Sequence, residues 1–320
     1  MPARHLQSER GGASMKLLRH LALRLLTTAL TLFGLLVICL ALLRAVPGGP
    51  FDQEKSAPPE VQAALAARYR LDQPFWVQVG DYASAALRGD LGPSFQYADY
   101  SVAELIGAAA PITLTLGALA VLLSLALAIP MACWLATRTH GLQFASLASL
   151  LALALPKFVL APLLVLMFAL TLGWLPSAGF AWDAPQTWVL PVLSLALPQF
   201  AVLLRALAEN LRAALGSAPV VAALARGYSE ARVVWRHALP LALAQTLGFL
   251  GPVLIALLTG SAIVEMVFGI PGLGRYLVSA ALNRDYTLLI GAVLAVAVIV
   301  AGVNLFIDLL QQLIDPRVRG

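Results

Sequence analysis

Apolar residues in this chain come in long uninterrupted runs, not at helical or strand spacing on one face. The first, Leu25 to Leu43, is 19 uncharged residues that follow Arg19 and Arg24 and lead into Arg44-Ala45-Val46-Pro47. A cleaved signal peptide would have an apolar core of about 7–15 residues ending in a small-x-small site, so this run reads as a retained span. The second lies between Glu104 and Arg138, with Pro111 and Pro130 near its ends. The third begins after Gly141 and reaches about Trp174, interrupted by Pro156-Lys157. At about 1.5 Å per residue it is too long for one upright crossing of a ~30 Å hydrocarbon core, so its first residues are placed in the interface. The fourth runs from Trp188 to Leu204 with Pro191 and Pro198, the fifth from about Leu243 to Val264, and the sixth from Tyr286 to Ile307. Prolines inside such runs imply kinks whose freed backbone groups are satisfied by neighbouring helices. The pattern predicts an all-α, polytopic membrane protein with six transmembrane helices.

Composition narrows the class further. Hydrophobic residues make up 60% of the 320 and charged residues only 12%, about half the ~25% of a soluble domain. Too few charges remain to cover a soluble core of this size, which excludes a soluble enzyme. No basic cluster lies on a soluble face, so no nucleic-acid partner is expected. Cys39 and Cys133 both fall inside apolar runs and read as packing residues, not as a disulfide or metal pair.

Charge asymmetry sets orientation. Six spans put both termini on one side. With the N-terminus in the cytosol, the inside segments carry thirteen Lys and Arg and the outside segments seven, which is the bias the positive-inside rule requires. The expected division is a cytosolic segment 1–24, a first span 25–43, an external loop 44–107, a membrane core 108–313 containing a cytosolic loop at about 205–242, and a cytosolic tail 314–320. The external loop has eight acidic and five basic residues. Within it Pro58-Pro59-Glu60 opens a helical stretch through Tyr69.

The cytosolic loop is the most informative segment. Ser217 to Pro240 reads as two short helices. Ser217 is placed to cap the first, Pro219 in its first turn, and Val220, Val221 and Leu224 on its apolar face. Gly227 follows where a left-handed residue ends a helix. Ser229 and Glu230 open the second, with Val233, Val234 and His237 on one side and Arg232 and Arg236 on another, and Pro240 limits it. A helix–Gly–helix of this kind has two readings. It lies on the membrane surface as an interfacial helix, or it docks into a groove on a cytosolic partner.

Ala222-Ala223, then Gly227, then His237-Ala238-Leu239-Pro240 resembles the EAA loop of importer permeases of the ATP-binding cassette (ABC) class. That pattern is E-A-A-x3-G-x9-I-x-L-P. This chain keeps Ala222, Ala223, Gly227, Leu239 and Pro240, and departs at Val221 and His237. Gly89-Asp90-Leu91-Gly92-Pro93-Ser94-Phe95, Pro47-Gly48-Gly49-Pro50-Phe51, Asp99-Tyr100-Ser101-Val102, Pro271-Gly272-Leu273-Gly274, Asn283-Arg284-Asp285-Tyr286 and Ile314-Asp315-Pro316-Arg317 look like segments of oligopeptide importer permeases of the B type. The resemblance begins near Lys16, and Met15 is a candidate start. It implies a type I ABC importer permease fold in a bacterial cytoplasmic (inner) membrane. It also implies a homologous second permease, two cytosolic ATPases that hold ATP and Mg, an external peptide-binding protein and a peptide substrate. No cofactor is expected on this chain.

The remaining chemistry agrees. A phosphate loop needs G-x4-G-K-[ST], and none of Lys16, Lys55 and Lys157 follows a glycine. Histidines at 5, 20, 140 and 237 form no metal or catalytic motif. No catalytic or metal residue is therefore expected. Lys157 is the one base inside an apolar stretch. It either snorkels to the interface or lines the pathway. Glu265, before Phe268-Gly269-Ile270-Pro271, is either a gate or binding-protein contact or a capping acid. Pro271-Gly272-Leu273-Gly274 reads as a re-entrant turn. An ion-coupled secondary transporter would want internal repeats and paired ionisable residues at the midplane, which are not seen. Within the resembled family, permeases for dipeptides, nickel or glutathione are the neighbouring alternatives.

Overall fold

The structure, a computed structural model, describes residues 3–45, 73–97 and 99–314. Pro47–Phe51, the helix expected from Pro58, and Asp315–Arg317 lie outside the described residues. The described residues are mostly helical, with one isolated bridge between Pro93 and Ser101 and no strand among them.

The helices are α1 (Ala3–Ala45), α2 (Phe75–Ala86), α3 (Val102–Ala136), α4 (Gly141–Ala154), α5 (Lys157–Leu164), α6 (Gln186–Leu215), α7 (Ala218–Ala225), α8 (Glu230–Val233), α9 (Leu239–Phe268), α10 (Leu273–Leu282) and α11 (Tyr286–Ile314). Among the described residues five stretches are long and apolar enough to cross a bilayer: Ala22–Ala45, Val102–Ala136, Gln186–Leu215, Glu230–Phe268 and Tyr286–Gln311. They match the first, second, fourth, fifth and sixth runs.

The third run is not one helix. α4 stops at Ala154, Leu155 turns to extended backbone (φ −88°, ψ 110°), and α5 starts after Pro156. Proline clashes with a helical residue before it, which is why the break falls there. α5 then widens into a π-helical stretch, Val165–Thr171.

Two compact units divide the chain, one drawn from Met1–Ala108 and Tyr276–Leu305, the other from Ala109–Arg275 and Phe306–Val318. The second is built on α6, which packs against α4, α5 and α9. Of its most apolar window 67% is buried within the chain, against 6% for Ala22–Ala45. Leu195, Leu203, Leu207 and Leu211 of α6 are fully buried, with Ala196, Ala201 and Ala208 giving neighbours room. The exposed leucines of α1, such as Leu25 and Leu30, are no defect in a membrane, because lipid tails solvate them as well as protein does. In the first unit α1 meets α2. The Arg44 guanidinium donates to the Gln78 side chain and the Gln73 carbonyl and lies over the Phe75 ring.

α3 begins with a reciprocal cap. The Ser101 N–H donates to Glu104 Oε2 at 2.8 Å, and the Glu104 N–H donates to Ser101 Oγ at 3.2 Å. This satisfies two of the N–H groups a helix start leaves open.

Candidate coupling loop and buried carboxylates

α6 continues to Leu215, so Arg205 and Arg212, at the start of the segment expected at about 205–242, are helical. Nothing between those residues breaks a helix, and Arg205 pairs with Glu209 one turn on at 2.9 Å. Ser217 sits at the start of α7 in extended backbone, but its hydroxyl donates back to the Ala214 carbonyl at 2.6 Å instead of capping α7.

α7 ends in a closed turn around Gly227. The Gly227 N–H donates to the Leu224 carbonyl at 2.9 Å and the Tyr228 N–H to the Ala223 carbonyl at 3.4 Å. Those two bonds define a Schellman motif, in which the third helical residue from the end and the left-handed residue are four apart. The Ala223-to-Gly227 spacing is that geometry. Gly227 has φ 81° and open space where a Cβ would sit, so only backbone strain excludes other residues there.

The apolar face of α7 is divided between the interior and the surface. Val220 and Ala223 point inward and are buried, whereas Val221 (51%) and Leu224 (42%) are exposed, together with Tyr228 (40%) and Trp235 (52%). Ala222 is exposed as well. The Tyr228 ring lies between the His237 ring at 5.7 Å and the Arg232 guanidinium at 5.7 Å. His237 is half-buried, Leu239 buried and Pro240 exposed.

The second helix does not end at Pro240. α8, a π-helical turn at Val234–Ala238 and α9 form one continuous helix from Glu230 to Phe268, 39 residues long. Proline cannot donate to the carbonyl four residues back. The π-helical turn immediately before it, Val234–Ala238, shifts the bonding pattern where that bond is missing, so the helix continues through Pro240. The loop is therefore one free short helix joined by a glycine turn to the end of a long one.

At its far end that helix carries Glu265, which is fully buried. Its Oε1 accepts from the Thr113 hydroxyl at 2.8 Å and its Oε2 from the Arg275 N–H at 2.9 Å. The Thr113 oxygen in turn accepts from the Leu273 N–H at 2.9 Å. The carboxylate thus closes the open N–H groups and favours the positive end of α10. The Arg275 guanidinium turns away to the Gly269 carbonyl at 2.8 Å. Pro271–Gly274 folds tightly over this carboxylate. A Cβ on Gly272 would stand 2.3 Å from Glu265 Cδ. Glu265 is so placed as an internal cap.

Lys157 opens α5, and its side chain lies outside the described residues. Asp285 was not singled out from the sequence, yet among the described residues it is the other fully buried carboxylate. Its Oδ2 accepts from the Ser94 hydroxyl at 2.5 Å and from the N–H groups of Phe95 and Gln96 at 3.1 Å each. Its Oδ1 accepts from the Leu288 N–H at 3.1 Å, the bond of a helix cap. An acid immediately before an apolar run was the available signal. Its partners 191 and fewer residues away carried none.

The described residues thus hold several membrane-length helices, with a helix–glycine–helix between two of them. Residues 124–320 match the family described as binding-protein-dependent transport system inner membrane component, and the chain belongs to that family. It is 37% identical over 305 residues to the oligopeptide transport system permease protein OppB of Haemophilus influenzae, covering 95% of this chain and 100% of that one. The OppB of Salmonella typhimurium is 35% identical over the same shares. The dipeptide transport system permease protein DppB of Bacillus subtilis is 30% identical, over 94% of this chain and 98% of that one. Among solved structures, the crystal structure of an amino acid ABC transporter with histidines has a TM-score of 0.47 at 22% identity, covering 67% of this chain and 94% of that chain. The chain is an ABC transporter permease subunit, a multi-pass membrane protein that acts with other ABC components.

Proposed function

We propose that this chain imports oligopeptides, pairing with a homologous second permease, two cytosolic ATPases and an external peptide-binding protein. The observation that carries the coupling half of this reading is the loop itself. α7 buries Val220 and Ala223 and leaves Val221, Leu224 and Tyr228 exposed beside the Gly227 turn. A cytosolic apolar face of this kind has helix-in-groove form. The peptide half is supported by 37% identity to an oligopeptide permease against 30% to a dipeptide permease. ATP and Mg bind in the partner ATPases, and the residues offered for coupling are Ala222, Ala223, Gly227, His237, Leu239 and Pro240. Alternating access follows when ATP binding favours one of two packed states. Both termini are cytosolic in a bacterial inner membrane.

The experiment is copurification from mild detergent, then ATP-dependent uptake of labelled peptide by the reconstituted complex. Uptake that persists with ion gradients collapsed supports the reading. Uptake driven by a proton gradient through this chain alone overturns it. Orientation is read separately by labelling Ala184→Cys in intact cells, which is expected to react from outside.

A further inference from the structure

The Asp285 carboxylate does more than cap α11. Three donors converge on its Oδ2, and all three belong to one external segment: the Ser94 hydroxyl and the consecutive N–H groups of Phe95 and Gln96. Two successive backbone N–H groups aimed at one anion form a nest. The Ser94 oxygen also accepts from the Tyr97 N–H at 2.9 Å, so the same side chain shapes the turn it anchors. The Thr287 hydroxyl, in the first turn of α11, donates to the Pro93 carbonyl at 2.6 Å. Asn283 donates to the Gln96 side chain at 3.0 Å. The rings of Tyr97 and Tyr276 meet edge to face at 5.8 Å.

The backbone around this point is held off its ordinary preference. Asp285 is reached through Arg284, the one described non-glycine residue with positive φ, at 55°. The Asp285 N–H closes the end of α10 on the Ala280 carbonyl at 2.9 Å. A left-handed residue with a side chain persists where its surroundings over-determine it. One residue therefore ends α10, starts α11 and holds residues 94–96.

We propose that Asp285 is a positioning residue of the transport cycle: it joins residues 93–97 to the first turn of α11 as one rigid piece, so that load placed on that segment by an external binding protein reaches α11 directly. The inference rests on the importer reading above. Bonds to an ionised acceptor are roughly twice as strong as neutral ones, and Asp285 turns several such bonds on one segment. An amide replaces it only in part. Three donors meet one oxygen and two, the Thr287 hydroxyl and the Leu288 N–H, meet the other, so either orientation of an Asn turns its N–H groups towards at least one backbone N–H that cannot accept.

The test uses the complete complex with its peptide-loaded binding protein, in a background with Cys39→Ala and Cys133→Ala. Asp285→Asn is expected to reach the membrane with its partners and to lose binding-protein-stimulated ATP hydrolysis by about tenfold. Gln96→Cys and Asn283→Cys are then added, because those two side chains already touch. Bridging them with a short bifunctional thiol reagent is expected to restore most of the stimulation, which the unbridged pair does not. A merely folding role would not respond to a tie made after assembly. Should Asp285→Asn fail to reach the membrane, Ser94→Ala, which removes one donor and keeps the carboxylate, carries the same bridging arm. Wild-type stimulation in Asp285→Asn, or a loss that bridging leaves unchanged, overturns the inference. A wild-type complex that its binding protein does not stimulate overturns the importer reading first, and this one with it.

Discussion

The Gly227 turn and the two buried carboxylates solve the same problem, joining one helix to the next, in opposite ways. At Gly227 two backbone bonds close the turn and no side chain crosses it. Val221, Leu224 and Trp235 stand exposed around it. At Glu265 and Asp285 the turn is closed by a side chain with no exposure, bonded to residues distant in sequence. At Gly272 there is no room even for a methyl group. The first kind of joint is closed by local bonds and keeps an open apolar face beside the buried Val220 and Ala223, so its failure shows as a lost partner. The second kind is internally satisfied, so its failure shows as lost stability or lost rigidity.

The sharpest way to break that distinction is at Gly227. Gly227→Val forces a β-branched residue to φ 81°, a genuine outlier conformation. The spans depend on their apolar runs and not on this turn. Membrane abundance is therefore expected to be normal, with ATPases lost on copurification and peptide uptake abolished. Gly227→Ala meets no neighbouring atom within 4 Å and pays only the left-handed cost of about 1–2 kcal/mol, so it retains part of both. Wild-type uptake by Gly227→Val with its ATPases bound would remove the loop as coupling element.

Next in size is Leu224→Asp. The side chain is exposed in the isolated chain, so stability is expected to stay within about 0.5 kcal/mol. Placing a charge in an apolar contact is expected to weaken ATPase association by about tenfold or more. Equal retention of the ATPases by both proteins on a salt-washed affinity column counts against that face.

The contrast also explains what could be read from the chain alone. Five of the six apolar runs appear as single helices because span length and apolarity are local properties. The left-handed turn at Gly227 is local too, and so is the break at Pro156. Which part of the α7 apolar face is covered is not legible, because Val221 and Leu224 are as apolar as Val220 and only tertiary contact separates them. Pro240 was read as a stop because a π-helical turn that accommodates it leaves no signature in residue type. The carboxylate joints were the least legible. Glu265 and Asp285 each look like an interfacial acid, and their partners Thr113 and Ser94 come from 152 and 191 residues away.

Glu265 sharpens the stability side. Glu265→Ala leaves the Thr113 hydroxyl and the Arg275 N–H without their acceptor, at about 1–3 kcal/mol per buried group. The unfolding midpoint in detergent is expected to fall by roughly 5 °C, with ATPase copurification unchanged. Gly272→Ala is expected to fall similarly, because its methyl group enters the space of the same carboxylate. The double variant is expected to be less destabilised than the sum, since removing the carboxylate makes that room. Strict additivity in a thermal melt would mean that the turn does not rest on Glu265.

The smallest effect is expected where the loop carries charge without geometry. Arg236 is exposed, on the π-helical turn, one of several bases in this segment. Its removal leaves the Gly227 bonds, the buried Val233 and Val234, and the exposed apolar face as they were. Arg232 differs in lying over the Tyr228 ring at 5.7 Å, a contact worth about 0.5–1 kcal/mol at an exposed site. Arg236→Ala should therefore change ATPase association by less than about twofold, and Arg232→Ala by about two- to fivefold, because Tyr228 borders the turn. Titrating the ATPases against both variants at low and raised salt measures this. If Arg236→Ala proves the more damaging and its defect grows at low salt, the partner is held by charge and not by the apolar face. The contrast between an open apolar joint and closed polar ones would then fail at its cytosolic end.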